Sequence, residues 1–182
     1  MKHRLELFSD AVFAIIITVM LLEMRVPDAP GWRGWLPVLP SIAAYVVTFV
    51  FLLVMWAGHH HMFAHFREFN RRMYWLNGLA LLFISLLPLS VHNFVAHRGD
   101  PTAFVVYLLL AWGAFNAFTG LRLAANATHR NDPGWKQWYA RRNRTSLGGN
   151  VLQLIIVGVC FVSIPAAIVL WILMMLALIA TI

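Results

Sequence analysis

The chain has 182 residues, of which 61% are hydrophobic and 12% are charged, and 14 Lys and Arg against 7 Asp and Glu give a formal net charge of +7. Soluble domains are about 45–50% apolar with about a quarter charged residues, so this composition excludes most soluble classes. A single cysteine, Cys160, excludes a disulfide scaffold, and basic residues confined between apolar stretches argue against a nucleic-acid partner. The sequence therefore predicts an all-α integral membrane protein.

Apolar stretches long enough to cross a membrane recur along the whole chain. A spanning helix needs about 20 mostly apolar residues. The six predicted spans of one domain, residues 1–182, are 7–24, 39–60, 73–95, 102–125, 147–164 and 166–182. A polar loop is predicted over 126–146. Pro165 divides the last apolar run, because proline removes a backbone donor and disfavours helix at the preceding residue, and this predicts a tight hairpin at Ile164 and Pro165.

The basic residues predict the orientation of these spans. The side that holds the amino terminus collects ten Lys and Arg, namely Lys2, Arg4, Arg67, Arg71, Arg72, Arg130, Lys136, Arg141, Arg142 and Arg144. The other side holds three, namely Arg25, Arg33 and Arg98. Cytoplasmic loops carry the excess of Lys and Arg, so both termini are expected in the cytoplasm of a cell whose inner (plasma) membrane the chain crosses several times.

Polar side chains inside the predicted spans are candidate functional residues, because ionisable groups are costly there. Asp10 lies near the start of the first span, His59 and His60 at the end of the second, and Asn77 early in the third. The topology puts all of them at one depth, where a carboxylate, an imidazole and an amide can satisfy one another's hydrogen bonds. The alternative is that each side chain reaches the membrane interface separately.

The histidine run 59–61 with His65 raises the question of a metal site. Only His61 and His65, four residues apart, share a helix face, and the run contains no cysteine or carboxylate to complete a tetrahedral site. No phosphate-binding loop or catalytic arrangement occurs in the sequence. We therefore expect no bound metal, no cofactor and no enzymatic activity.

The first span carries two further stripes at helical spacing. One consists of Ile15, Thr18, Val19 and Leu22, and the other, about 140° away, of Asp10, Ala14 and Ile17. An apolar stripe on an apolar helix is ordinarily packing or lipid contact. Periodicity alone leaves its role open.

The segment RLELFSDAVFAIIIT, residues 4–18, resembles the R-x-x-x-F-S-D signature that opens the transmembrane protein 175 family, potassium channels of bacteria, archaea and animal lysosomes. The W-x-x-H-H-x-x-F run at 56–63, the W-L-N run at 75–77 and the S-L-L-P stretch at 85–88 are similar to later features of that family. Residues beyond Pro88 are similar in hydropathy alone.

The resemblance implies a homotetramer of six-helix subunits in which the first helix of each subunit lines a central pore for potassium ions. Rings of aliphatic side chains at Ile15, Val19 and Leu22, with Thr18 as a polar layer, would form its narrowest part. Such rings exclude water and ions when narrow. A modestly selective, leak-like conductance is expected, because potassium gives up its water more easily than sodium.

The resemblance also implies structural roles for Arg4, Phe8, Ser9 and Asp10, which would tie the first helix to His59 or His60 and to Asn77. The sequence departs from the family pattern in two places. Val19 is smaller than the leucine expected in the middle aliphatic ring, and the triple histidine leaves open which imidazole joins the network. The alternative function is a secondary transporter or proton-coupled carrier that uses Asp10 with His59 and His60.

Overall fold

Helices form all the regular structure of the described residues, which are 2–25, 27–66, 69–129 and 131–180 of a computed structural model. In chain order the helices are α1 (Lys2–Leu22), α2 (Trp32–Trp35), α3 (Leu39–His65), α4 (Arg71–Ser85), α5 (Leu87–Ala96), α6 (Pro101–His129), α7 (Pro133–Cys160) and α8 (Ile164–Ile179). Arg67 and Arg130, which entered the charge count, lie outside the described residues.

Four of these segments are long and apolar enough to cross a membrane, judged by length and composition. They are Lys2–Leu22, Leu39–His65, Arg71–Ala96 and Pro101–His129, the third of which joins α4 and α5. The apolar helix α8 is shorter, with 16 residues. The prediction of an all-α chain with several apolar helices is thus confirmed.

The predicted loop at 126–146 is wrong, because α6 extends to His129 and α7 begins at Pro133. The Asp132 carboxylate caps α7 by accepting hydrogen bonds from the amides of Gly134, at 2.9 Å, and Trp135. Pro133 suits the first turn of a helix, where no backbone donor is needed. Helix α7 therefore starts well before its apolar half.

Two proline positions also change the predicted bounds. The segment 73–95 is interrupted at Leu86, two residues before Pro88, because a proline cannot donate to the carbonyl four residues earlier. At the other site, Pro165 lies within the first turn of α8, and Ser163 caps that turn by accepting from the Ala166 amide. The turn between α7 and α8 is therefore at 161–163 and not at Ile164 and Pro165.

Helix α1 packs against α3, α4 and α5, while α6 contacts α4, α5 and α7, and α8 contacts α7 and α3. Close approach of α4 and α6 depends on Gly113, where an added Cβ would lie 2.6 Å from the Phe83 ring. The buried face of α1 consists of Leu5, Ser9, Phe13, Ile16 and Met20. One side of α1 is thus held by the bundle and the other side faces outward.

Candidate functional site on the first helix

A directed chain of hydrogen bonds joins α3, α4 and α1. The His59 Nε2 donates to the Asn77 Oδ1 at 3.0 Å, and the Asn77 Nδ2 donates to the Ser9 Oγ at 3.0 Å. The Ser9 hydroxyl in turn donates to the Leu5 carbonyl at 2.8 Å. Because the Asn77 amide nitrogen serves Ser9, its carbonyl oxygen must accept from the imidazole. These hydrogen bonds connect α3 to α4 and α4 to α1 at one buried place.

His59 is surrounded by aromatic rings and only 1% exposed. The Phe63 ring lies 4.0 Å away between centroids, and Phe13 and Phe118 flank it at 6.1 Å and 5.4 Å. Removing a polar group from water is costly unless it is hydrogen-bonded. The Asn77 carbonyl therefore fixes how this imidazole is oriented.

Asp10 belongs to a separate contact, in which its Oδ1 accepts a hydrogen bond from the Trp56 Nε1 at 2.9 Å. This differs from the prediction that Asp10 shares its bonds with a histidine and Asn77. Consecutive residues on a helix point about 100° apart, so Ser9 faces the bundle while Asp10 faces the side of α3. The carboxylate and the imidazole–amide chain brace α1 at two neighbouring places.

Each member of the histidine run has different surroundings. His60 stacks on Trp56, with 6.0 Å between ring centroids, and its Nδ1 lies 3.7 Å from the Glu6 Oε1. The His65 Nδ1 contacts the His61 carbonyl at 2.8 Å. The residues in contact with Asn77 and Glu6 are thus His59 and His60 respectively, because adjacent positions on α3 face different neighbours.

Arg4 and Phe8, which the family signature marks as structural, are exposed and lie outside these hydrogen bonds. The basic residue that anchors the start of α1 is Lys2, whose Nζ donates to the Phe66 carbonyl at 2.7 Å. Lys2 and Glu6 are not among the site residues predicted from the sequence, and Trp56 enters that prediction only as part of a motif. The four-residue spacing of Trp56 and His60 was the available signal for Trp56.

The stripe of α1 that includes Ile15, Thr18 and Leu22 faces away from the bundle. Ile15 is 59% exposed and Leu22 is 82% exposed, whereas Val19, at the edge of the stripe, is 37% exposed. The Thr18 hydroxyl donates its proton to the Ile15 carbonyl at 2.8 Å, so its oxygen can act only as a hydrogen-bond acceptor on the outward face. The chain thus presents an aliphatic ridge on the outward side of a helix whose other side is hydrogen-bonded to α3 and α4.

Comparison with known proteins shows which family the chain resembles. Residues 4–88 match the profile of the family described as endosomal/lysosomal potassium channel TMEM175. A potassium channel of Streptomyces collinus (strain DSM 40733 / Tue 365) is 34% identical over 172 residues, which cover 89% of this chain and 84% of that protein. The chain belongs to the TMEM175 family. The resemblance drawn from the first-helix signature is confirmed.

Two other similar proteins differ in how much of each chain the similarity covers. A potassium channel of Chryseobacterium sp. (strain P1-3) is 42% identical over 89 residues, 49% of this chain and 46% of that protein. The crystal structure of a lysosomal potassium-selective channel TMEM175 homolog from Chamaesiphon minutus superposes with a TM-score of 0.78 at 26% identity, covering 99% of this chain and 97% of that chain. The similarity thus extends beyond the profile match to α6, α7 and α8.

Proposed function

We propose that this protein is a potassium channel that works as a homotetramer, with α1 of each subunit lining a central pore. The observation that carries the proposal is membership of the TMEM175 family, whose matched segment 4–88 contains every candidate site residue. The outward aliphatic ridge of α1 supports it. The described residues of one chain form one such ridge on α1, so several chains are needed to enclose a pore around an axis.

The proposed constriction consists of rings of Ile15, Val19 and Leu22, with Thr18 between them. Leu22 and Ile15 are seven residues apart, or about 10 Å along the helix, so the two rings form separate barriers. Val19 lies toward the edge of the stripe, which makes its ring the widest of the three. An aliphatic ring opposes any ion and opposes strongly hydrated ions most, so selectivity for potassium over sodium is modest.

The proposed topology has six spans and places both termini in the cytoplasm of a cell bounded by the inner (plasma) membrane. The four long apolar helices supply four spans, and the apolar part of α7 (147–160) and α8 supply the other two. The excess of Lys and Arg at the amino-terminal side supports the orientation. No cofactor is needed, because potassium is the permeant ion.

The proposed role of Ser9, Asp10, His59, His60 and Asn77 is structural, whereas Arg4 and Phe8 are exposed on α1 and lie outside their hydrogen bonds. Two hydrogen bonds support this role: the bond between Asn77 and Ser9 connects α4 to α1, and the bond between Trp56 and Asp10 connects α3 to α1. The imidazole–amide chain ends at the Leu5 carbonyl within α1. It therefore braces the pore helix and does not contact ions.

Reconstitution of the full chain into liposomes tests the proposed function. We expect potassium flux that exceeds sodium flux, varies linearly with the driving force and needs no counter-ion. A mass four times that of the chain, measured by light scattering in detergent, is expected alongside. Flux that requires a proton gradient and saturates with substrate would instead identify a proton-coupled carrier, and a monomeric mass would exclude the tetramer.

Asp10→Ala is expected to lower the yield of folded tetramer and leave the ion preference of the remainder unchanged. The variant deprives Trp56 of its acceptor and loosens α1 from α3 at a cost of about 1 kcal/mol. Size-exclusion chromatography measures the yield, and Trp56→Phe, which removes the same bond, should behave alike. Asp10→Asn keeps an acceptor oxygen and serves as the conservative control. A well-assembled Asp10→Ala tetramer with altered potassium-to-sodium flux would put Asp10 in the ion path.

A further inference from the structure

A basic cavity lies between the end of α3 and the first half of α7, away from the site on α1. Its volume is about 210 Å³, and its walls include Gly58, His61, His65, Trp138, Arg141 and Arg142. The described part of its lining holds no aspartate or glutamate. Two guanidinium groups and two imidazoles around one cavity favour an anion.

The cavity is shaped by packing and does not merely collect surface charges. The His65 ring stacks on Trp138, with 5.0 Å between centroids and 20° between planes. A Cβ at position 58 would lie 3.3 Å from the Arg142 Nη2, so the glycine leaves room for the guanidinium against α3. Burial, and to a smaller extent the charge of Arg141, lowers the pKa of Arg142. A bound anion would offset the burial of the Arg142 charge and its repulsion from Arg141.

A buried arginine behind the cavity adds to its positive potential. Arg122 is 5% exposed, and it lines a small adjoining space together with Arg142. The Arg122 Nη2 donates to the Ser146 hydroxyl at 2.6 Å, whereas its Nε has no hydrogen-bond partner among the described residues. A hydroxyl leaves the guanidinium charge uncompensated, and charges buried in low dielectric act over longer distances than exposed ones.

The surroundings favour a lipid headgroup over a free anion. Arg141, Gly148 and Ile155 follow one another at seven-residue spacing on α7, so they share one side of the helix. Gly148 has open space where a side chain would be, and Ile155 is exposed, which leaves an unobstructed side of α7 on which an acyl chain can lie. Trp138, which is half-buried, lines the same cavity, and tryptophan is enriched at membrane interfaces.

We propose that the cavity between α3 and α7 binds the phosphate headgroup of an anionic phospholipid at the proposed cytoplasmic face, with its acyl chains along the exposed side of α7 at Gly148 and Ile155. Arg141 and Arg142 bind the phosphate, and Arg122 contributes long-range attraction. The lipid connects α7 to α3, and α3 is in turn hydrogen-bonded to α1 through Trp56 and Asp10.

Native mass spectrometry of the assembled full chain in detergent tests this site, with dioleoyl phosphatidylglycerol and dioleoyl phosphatidylcholine as probes. We expect tighter binding of phosphatidylglycerol, weakened about fivefold in Arg141→Gln and about twenty-five-fold in Arg141→Gln/Arg142→Gln, since each basic residue near a membrane surface contributes about that factor. The matched control is Arg144→Gln, an exposed arginine on the same helix outside the cavity walls.

Equal loss of phosphatidylglycerol in Arg144→Gln and Arg141→Gln would overturn the proposal, because the effect would then be nonspecific charge. Arg141 is exposed, so the single variant keeps the test valid even when the double variant does not assemble. A parallel titration with inorganic phosphate separates the two sources of the same chemistry. Phosphate that displaces the lipid at comparable concentration would identify a free anion as the occupant and overturn the lipid assignment.

Discussion

Leu22→Asn is expected to raise potassium flux by about tenfold and to bring the potassium-to-sodium ratio toward one. In the proposed tetramer, Leu22 forms an aliphatic ring at the carboxyl end of α1, where its side chain is the most exposed of the stripe. Asparagine is similar in size and carries an amide that hydrogen-bonds to water. The ring would then admit water and lower the cost of passage for both ions.

The required change in the barrier is small for each subunit. A tenfold rise in flux corresponds to a barrier about 1.4 kcal/mol lower, or about 0.35 kcal/mol from each of four side chains. Single-channel recording in planar bilayers measures the conductance, and reversal potentials in mixed potassium and sodium measure the selectivity. Ile15→Asn should act in the same direction, since Ile15 lies on the same stripe.

Leu21→Asn is the matched control for Leu22→Asn. Leu21 is adjacent in sequence and also exposed, but it points about 100° away around α1. The control should keep the wild-type conductance while it introduces the same amide at the same depth. Equal effects of the two substitutions, or unchanged currents in both Leu22→Asn and Ile15→Asn, would contradict the assignment of the pore-facing stripe.

The helices that the sequence predicted well are those whose limits depend on local chemistry. Helix α1 ends at Leu22, shortly before Arg25, Pro27 and Pro30, and α3 begins at Leu39 in line with the predicted 39–60. Continuous apolar residues and helix-breaking prolines are readable without knowledge of neighbours. Both signals lie within the segment itself.

Helix α7 could not be predicted in this way, because its buried face is partly polar. Ser146 and Gln153 lie on that face together with Trp135, Ile156 and Cys160. The Gln153 Nε2 donates to the Leu108 carbonyl at 3.1 Å, and Ser146 accepts from Arg122. Gln153 falls within the predicted span 147–164, whereas Ser146 falls within the predicted loop, since its burial depends on Arg122 in α6. Hydropathy alone therefore predicts a loop for the polar first half of α7.

The candidate site shows the same division between local and nonlocal information. Span direction is enough to predict that Asp10, His59, His60 and Asn77 lie at one depth. Rotation of each helix about its own axis decided the individual contacts, and hydropathy of nearly uniform apolar helices carries little information on rotation. For that reason only the three-dimensional structure shows that Asp10 pairs with Trp56 and that His59, not His60, pairs with Asn77.

Asn77→Leu is expected to lower the apparent midpoint of thermal unfolding of the assembled protein by about 4–8 °C. The substitution removes the acceptor of the buried His59 N–H and the donor to Ser9. A buried donor without a partner costs about 2 kcal/mol, and about 1 kcal/mol shifts the midpoint by about 2–4 °C in a chain of this size. The yield of folded tetramer should fall in parallel.

A double-mutant cycle with His59→Phe separates the hydrogen bond from simple loss of packing. Phenylalanine suits the aromatic surroundings of position 59, so His59→Phe/Asn77→Leu replaces both polar partners with apolar groups. We expect the double variant to lose less stability than the sum of the single variants, by about 1 kcal/mol, because neither leaves the other unpaired. His61→Phe, on the exposed neighbour, is the control for the introduced ring. Strictly additive losses would mean that Asn77 and His59 contribute independently and that their hydrogen bond does not hold α3 to α4.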